Sequence, residues 1–207
     1  MKNYALVCAL GLAAAGPAAA EVRQMPEFAA ISVSSGVPIE VTVGAPFRVE
    51  VAGQDAERVQ TRVANGVLMV GRQSQGWRWG RHDALVRVSM PSVTALDASS
   101  GSRMTASGVS GGDVSLEASS GARLIAAGTC GRLKAEASSG ARLDAAGLHC
   151  AAGAADASSG ARAIVHVSGR LDVEASSGGD VVAGGGAEIG AISLSSGGSL
   201  RRASQGG

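Results

Sequence analysis

Carboxylates and histidines are the side chains of this 207-residue chain whose types and spacing could support catalysis. Five carboxylates recur at nearly equal intervals, and glycoside hydrolysis uses two carboxylates about 5–10 Å apart. A Gly-x-Ser-x-Gly pattern at 108–112 matches the nucleophile elbow of serine hydrolases, which needs a strand-to-helix turn. In a chain with 31 glycines we interpret that match as coincidence. No shared spacing relates the three histidines, so they predict no metal site and no cofactor: His82, His149 and His166.

The carboxylates belong to a repeat built around the triplet Ser-Ser-Gly. The triplet begins six times, at intervals of 20, 19, 20, 18 and 19 residues: Ser99, Ser119, Ser138, Ser158, Ser176 and Ser195. An acid stands two residues before each of the first five copies: Asp97, Glu117, Glu136, Asp156 and Glu174. An arginine stands two residues after the glycine in the first four copies, and Asp180 and Ser199 then break the column: Arg103, Arg123, Arg142 and Arg162.

Alternation inside each repeat predicts β-strands with one face inward. In the second copy one parity holds Val114, Leu116, Ala118, Ser120, Ala122, Leu124 and Ala126. Short strands, glycine turns and a period near 19 predict an all-β fold, a single-stranded parallel β-helix (solenoid) with coils about 4.8 Å apart. Right-handed coiling is the default for parallel crossovers, and left-handed solenoids are the exception. We expect glycine at the corner, and serines that line a thin interior and hydrogen-bond from coil to coil.

The two charged columns allow two interpretations. Five stacked carboxylates repel one another, and an adjacent arginine column would offset that repulsion if the bend at Ser-Ser-Gly brings acid and arginine together. Alternatively the columns are two solvated stripes, because exposed ion pairs contribute only about 0–1 kcal/mol. In either case we expect them to serve solubility and protection of strand edges rather than ligand binding.

A disulfide between Cys130 and Cys150 is predicted from their separation of about one coil. Stacked coils bring equivalent Cα atoms within the range that a disulfide needs. The copy that begins at Ser138 carries one extra residue before Cys150, so the register of the two strands decides between a bridge and two free buried thiols.

The segment 21–96 is less regular and is predicted to cap the solenoid. Its stretch SVSSGVPIEVTVG, residues 32–44, reads as a degenerate copy of the repeat, and Asn65-Gly66 between β-rich runs predicts a hairpin. A cap is expected because an exposed end coil recruits other strands. We therefore divide the chain into the cap at 21–96, regular coils at 97–200 and a polar tail at 201–207.

Residues 1–20 have the layout of a secretory signal peptide: Lys2, an apolar run and a small-residue cleavage site before Glu21. Cleavage removes one of 18 basic residues, so 17 basic residues face 17 acidic ones. A balanced chain gives no electrostatic reason to bind nucleic acid, and no later run is long enough to span a membrane. We predict an exported protein of the periplasm or cell surface. Only 2% of residues are aromatic, so its core must be narrow.

One stretch, QGWRWGRH at 75–82, interrupts the pattern of the strands on either side. Tryptophan and arginine are the residue types most enriched at binding hot spots. The loop is therefore either a recognition site or a cover in which a tryptophan folds back over the cap. Its candidate binding residues are Trp77, Arg78, Trp79, Arg81 and His82.

The whole mature chain resembles the secreted bacterial family called auto-transporter adhesin, head GIN domain. The resemblance rests on the signal peptide, the segments FAAISVSSGVPIEVTVG, VANGVLMVGR and VRVSMPSVTALDASSG, and the coils that follow. It implies a β-helical extracytoplasmic protein with no established catalytic residues.

We therefore expect a non-enzymatic, adhesin-like binding or structural module of the cell envelope. Its expected partners are an envelope polysaccharide or another surface protein. Two alternatives stay open: a polysaccharide-active enzyme that uses the acidic column, and a scaffold that self-associates through the solenoid ends. The acidic column lacks nearby aromatic platforms for sugar rings, which weighs against the enzyme.

Overall fold

The computed structural model describes residues 20–73 and 83–203, and nearly all of their regular structure is strand. These ranges hold one 3-10 helix, Ala56–Arg58, and sixteen strands: β1 (Glu21–Arg23), β2 (Ala30–Val33), β3 (Pro38–Val43), β4 (Arg48–Ala52), β5 (Val59–Ala64), β6 (Val67–Arg72), β7 (Leu85–Met90), β8 (Ala95–Ala98), β9 (Arg103–Ala118), β10 (Arg123–Ala137), β11 (Arg142–Ala157), β12 (Arg162–Val167), β13 (Arg170–Ala175), β14 (Asp180–Gly184), β15 (Glu188–Leu194) and β16 (Ser199–Arg202). No helix in the described part of the chain has the length and apolar character needed to cross a bilayer.

The chain winds as a parallel β-solenoid of about five turns with roughly 20 residues per coil, which confirms the predicted fold class. β9, β10 and β11 pair in parallel along almost their whole length. The later coils are split into two strands at a second corner, so β12 pairs with the first part of β11 and β13 pairs with its last part. The predicted right-handed coiling stays a prediction.

Each Ser-Ser-Gly triplet forms a tight turn at one corner of a coil. In the second copy, Ser120 and Gly121 have φ values of 50° and 71°, and the Ala122 amide donates to the Ser119 carbonyl at 3.0 Å. Two consecutive residues with positive φ define a type I′ turn, which explains why glycine recurs at the third position. The Gly121 amide also donates to the Ser139 carbonyl of the next coil at 3.1 Å, so the turns stack through the backbone.

The expectation that the serines line the interior is wrong. The first serine is half-buried in the first five triplets and exposed in the last, and the second serine is exposed at the tip of the turn, as Ser119 and Ser120 show. Residues flanking the turn fill the interior instead, because the turn carries the chain around the corner without pointing either serine inward. Ala118 and Ala122 are 0% and 1% exposed, and the equivalent residues of the next two coils are also buried alanines.

The N-terminal part enters the stack out of chain order. β2 lies between β6 and β8, and β3 lies between β7 and β9, all in parallel. The segment 32–44 is thus a true coil, as predicted, since Ser35 and Gly36 repeat the positive φ values of the later turns. The predicted hairpin at Asn65-Gly66 joins β5 and β6.

Antiparallel strands lie outside the coil formed by β6 and β7. β4 pairs with β7, β1 pairs with β4, and β5 pairs with β6. The largest core residues concentrate in this half of the chain and in the first coils, among them Met90, Leu96 and Met104, each at most 1% exposed. The antiparallel strands β4 and β5 cover the parallel edge of the solenoid, and the role of the segment 21–96 as a cap stays a prediction.

Candidate functional site

The Ser-Ser-Gly corner separates two faces of the solenoid, each carrying one charged column. The acidic face is defined by the column before the turn: Asp97, Glu117, Glu136, Asp156 and Glu174. The arginine face is defined by the column after it: Arg103, Arg123, Arg142 and Arg162. Strand pairing places the members of each column directly opposite one another in successive coils, as the repeat predicts.

The two columns are solvated stripes rather than a mutual network. Among the described residues, no acid of the acidic face lies within 4 Å of an arginine of the arginine face. Glu136 pairs instead with Lys134 on its own strand, with Nζ and Oε1 2.7 Å apart. Arg162 pairs with Asp180 one coil further on, with Nε and Oδ2 3.2 Å apart. Asp180 therefore breaks the arginine column and neutralises its last member.

Stacking perturbs the carboxylates of the acidic face. Partial burial, followed by repulsion from Asp97 and Glu136, raises the pKa of Glu117. Partial burial, followed by repulsion from Glu174 and Glu136, likewise raises the pKa of Asp156. Burial of the carboxyl group is the larger cause of both pKa shifts, and the like charges placed opposite one another in the β ladder add to it.

The acidic face holds a surface hollow of about 310 Å³ toward its C-terminal end. Ala154 forms its floor as a small residue between Lys134 and Asp172 of the adjacent coils. Carboxylates of the column line one side, and Ile192 lies at the end. None of the described residues that line the hollow is aromatic, so it lacks the platform on which sugar rings stack.

Three of the four arginines of the arginine face point to solvent without an acidic partner among the described residues. Arg103, Arg123 and Arg142 are exposed, and in the described part of the chain none of them makes an ion pair. The neighbouring column carries Ile125 and Ile164, both half-buried. The exposed second serines of the turns line the other side of the arginine column: Ser100, Ser120, Ser139 and Ser159.

The predicted disulfide is present. Cys130 and Cys150 lie opposite each other in β10 and β11, their Cα atoms are 4.5 Å apart, and the bridge is buried. A register shift between Ile125 and Ala127 of β10 absorbs the extra residue that β11 carries before Cys150. This bulge brings the two cysteines into register.

Two of the three histidines lie together although their spacing in the sequence does not match the repeat. His149 and His166 are paired in β11 and β12, and their rings stack with centroids 4.1 Å apart and planes inclined by 10°. The sequence does not show this match because β12 has three residues fewer than β11 before its histidine. Within the described ranges no group of three or more histidine, cysteine or acidic side chains could hold a metal ion.

Two sequence motifs have different outcomes. Ser110 of the Gly-x-Ser-x-Gly pattern lies inside β9 and not at a strand-to-helix turn, so the elbow of a hydrolase is not formed there. The loop with Trp77, Arg78, Trp79, Arg81 and His82 lies outside the described residues, and its role stays a prediction.

Comparison with known proteins places this architecture in a family. A family model with the description "Putative auto-transporter adhesin, head GIN domain" matches residues 27–187. A solved structure titled as a putative adhesin from Bacteroides fragilis is 12% identical, with a TM-score of 0.66, and the match covers 89% of this chain and 95% of that one. A second, titled as a putative adhesin from Parabacteroides merdae, is 13% identical, with a TM-score of 0.49 and coverage of 91% and 97%. No curated protein matched the chain.

The similarity to the B. fragilis protein supports the fold alone, because the identity is low. The family model carries the assignment, since it spans well over half of the chain. Its limits include the N-terminal coil with its Ser-Ser-Gly turn and every regular coil as far as β14. This protein belongs to the "Putative auto-transporter adhesin, head GIN domain" family.

Proposed function

We propose that this protein is an exported, non-enzymatic binding module of the bacterial cell envelope, with an adhesin-like role. The observation that carries the proposal is the pair of exposed, in-register charged faces on a rigid solenoid. Such faces present a long periodic surface to an extended ligand. The family description and the titles of the neighbouring structures name adhesins, which agrees with this role.

Export is supported by two independent features. Residues 1–20 have the layout of a signal peptide. The bridge between Cys130 and Cys150 is the kind of bond that persists in oxidising compartments such as the periplasm and the cell exterior. Expression of the full chain in a Gram-negative host, followed by fractionation and N-terminal sequencing, tests this part. We expect a mature chain that begins at Glu21, and a cytoplasmic chain that retains Met1 would contradict it.

Binding is tested with the mature chain and a Trp77→Ala/Trp79→Ala variant. Both are incubated with whole cells, purified envelope polysaccharide and peptidoglycan, after their unfolding temperatures have been matched. We expect saturable binding by the unaltered chain and weaker binding by the variant, because tryptophan contributes strongly to hot spots. Absence of binding to all three targets would contradict the proposed function. Equal binding by both proteins would show that the tryptophan loop is not part of the site, and the two charged faces would remain as the candidate site.

A second candidate function, self-assembly through the solenoid end, is favoured by one observation. Ile192 and Leu194 in β15 are 52% and 46% exposed, and among the described strands β15 pairs only with β13. An exposed apolar edge strand is a template for pairing with another chain. Analytical ultracentrifugation of the mature chain and of Ile192→Lys tests it. A concentration-dependent increase in mass that the substitution abolishes would support a scaffold, and a monomer at all concentrations would exclude it.

A further inference from the structure

We infer that the arginine face is a binding site for an acidic polysaccharide whose carboxylates contact successive arginines; the inference rests on the proposed function and names its ligand. Neighbouring strands lie about 4.8 Å apart, so the four arginines span roughly 14 Å along the solenoid axis. Their Cα atoms are in register across β9, β10, β11 and β12. The face therefore carries a row of arginines that follows the solenoid axis.

Three of the four charges in this row have no acidic partner among the described residues. In the neighbouring column, Asp144 accepts a hydrogen bond from the Ala146 amide at 3.2 Å and makes no ion pair with a described residue, and Glu40, in the coil before the row, pairs with Arg87. Asp180 at the end of the row forms ion pairs with Arg162 and Arg201. Like charges directly opposite in a ladder repel one another, so Arg103, Arg123 and Arg142 destabilise the face until an anion neutralises them.

The chemistry of the row selects carboxylates. A guanidinium group offers a planar pair of N–H donors that matches the two oxygens of a carboxylate. A flat row of such groups holds an extended polymer with regularly spaced acids better than it holds a single small anion. An extended hexuronate polymer carries a carboxylate on every sugar, so the carboxylates along one side of the polymer can contact arginines of different coils.

The surroundings of the row suit a sugar chain. The exposed hydroxyls of Ser120 and Ser139 lie on one side, where they can exchange hydrogen bonds with sugar hydroxyls. Ile125 and Ile164 lie on the other side and offer half-buried apolar surface to the C–H groups of the rings. Duplex nucleic acid fits less well, because the acidic face beyond the corner repels a wide polyanion and the mature chain has no excess of basic residues.

The test measures binding of the mature chain to immobilised polygalacturonate by biolayer interferometry. The ligand control is the same polymer after chemical reduction of its carboxyl groups, which keeps the sugar backbone and removes the charge. The protein variant is Arg123→Gln/Arg142→Gln. The matched control is Arg62→Gln/Arg132→Gln, which removes the same charge from exposed positions outside the row. Unfolding midpoints of all three proteins are compared first.

We expect the Arg123→Gln/Arg142→Gln variant to bind polygalacturonate about tenfold more weakly or worse, and the control variant to bind within about twofold of the unaltered chain. Binding to the carboxyl-reduced polymer should be lost. Equal binding of both polymers, or equal weakening by both variants, would overturn the inference. Binding to whole envelopes without binding to polygalacturonate would overturn the inference and leave the proposed function standing. Loss of binding to every envelope fraction would overturn both.

Discussion

Gly128 in β10 offers a sharp test of how the coils stack. Its φ is 140°, and a Cβ built there would lie 2.0 Å from the carbonyl oxygen of Val109 in β9. Real Cβ atoms essentially never approach another atom closer than 3.0 Å, so Gly128→Ala must move one coil away from the next by about 1 Å. The obstacle is backbone and cannot rotate away. We expect the free energy of unfolding to fall by about 3 kcal/mol or more.

Two other glycines provide matched controls. Gly121 at the tip of the turn has a φ of 71° and no atom within 4 Å of a built Cβ. Gly121→Ala therefore suffers only the left-handed backbone conformation, which costs about 1–2 kcal/mol. Gly112 in β9 has neither a positive φ nor a neighbour within 4 Å. Gly112→Ala should be neutral or stabilising by up to about 1 kcal/mol, because alanine reduces the freedom of the unfolded chain.

Thermal unfolding followed by circular dichroism ranks the three variants. For a chain of this size, 1 kcal/mol shifts the unfolding temperature by about 2–4 °C. Gly128→Ala should lower it by about 6 °C or more, Gly121→Ala by a few degrees, and Gly112→Ala should not lower it. If Gly128→Ala unfolds at the temperature of Gly121→Ala, the tight contact between β9 and β10 is wrong.

The remaining predictions concern charge and the disulfide. The pKa of Glu117 is raised in the folded chain, so its contribution to stability is present below about pH 4 and is lost as the pH rises. Glu117→Gln should therefore stabilise the fold at pH 7 by about 0.5 kcal/mol in low salt. Urea unfolding at pH 3 and pH 7 should show this gain at pH 7 alone. Asp180 behaves oppositely, because hydrogen bonding to Arg201 lowers its pKa. Asp180→Asn should lower the free energy of unfolding by about 1 kcal/mol at pH 7, and the difference should vanish as the pH falls through that lowered pKa. An unchanged urea midpoint at pH 7 would contradict the pairing. Cys130→Ser/Cys150→Ser should lower the free energy of unfolding by about 3 kcal/mol, since the bridge closes a loop of 20 residues. Labelling of both cysteines by a thiol reagent in denatured, unreduced mature protein would refute the bridge.

The repeated residues made the solenoid predictable from sequence. A stacked coil places equivalent residues opposite one another, so the recurrence of Glu117 and Arg123 indicated both the period and the columns. The disulfide was predictable for the same reason, but its register was not, because the bulge near Ala126 depends on contacts between coils. Local patterns do not report how a neighbouring strand accommodates an extra residue.

Other features depended on turn geometry and long-range pairing. Ser120 shares the parity of the core residues, yet the turn rotates it to the surface, so alternation alone gave the wrong prediction. The insertion of β2 and β3 between later strands joins residues far apart in sequence, as in the pairing of Ile31 with Leu96. The sequence also did not decide whether Arg123 pairs with an acid of the acidic face. That pairing depends on the distance between the two columns across the turn, and among the described residues it does not form.

The central claim, that this solenoid binds an envelope polymer without cleaving it, is tested most directly by size-exclusion chromatography with light scattering. The mature chain is incubated with an acidic polysaccharide, and the polymer mass is measured in the mixture and again after the protein has been removed. We predict a complex heavier than either component and a recovered polymer of unchanged length. A shortened polymer would make the hollow beside Asp156 a catalytic site, and separate elution of the two components would contradict binding.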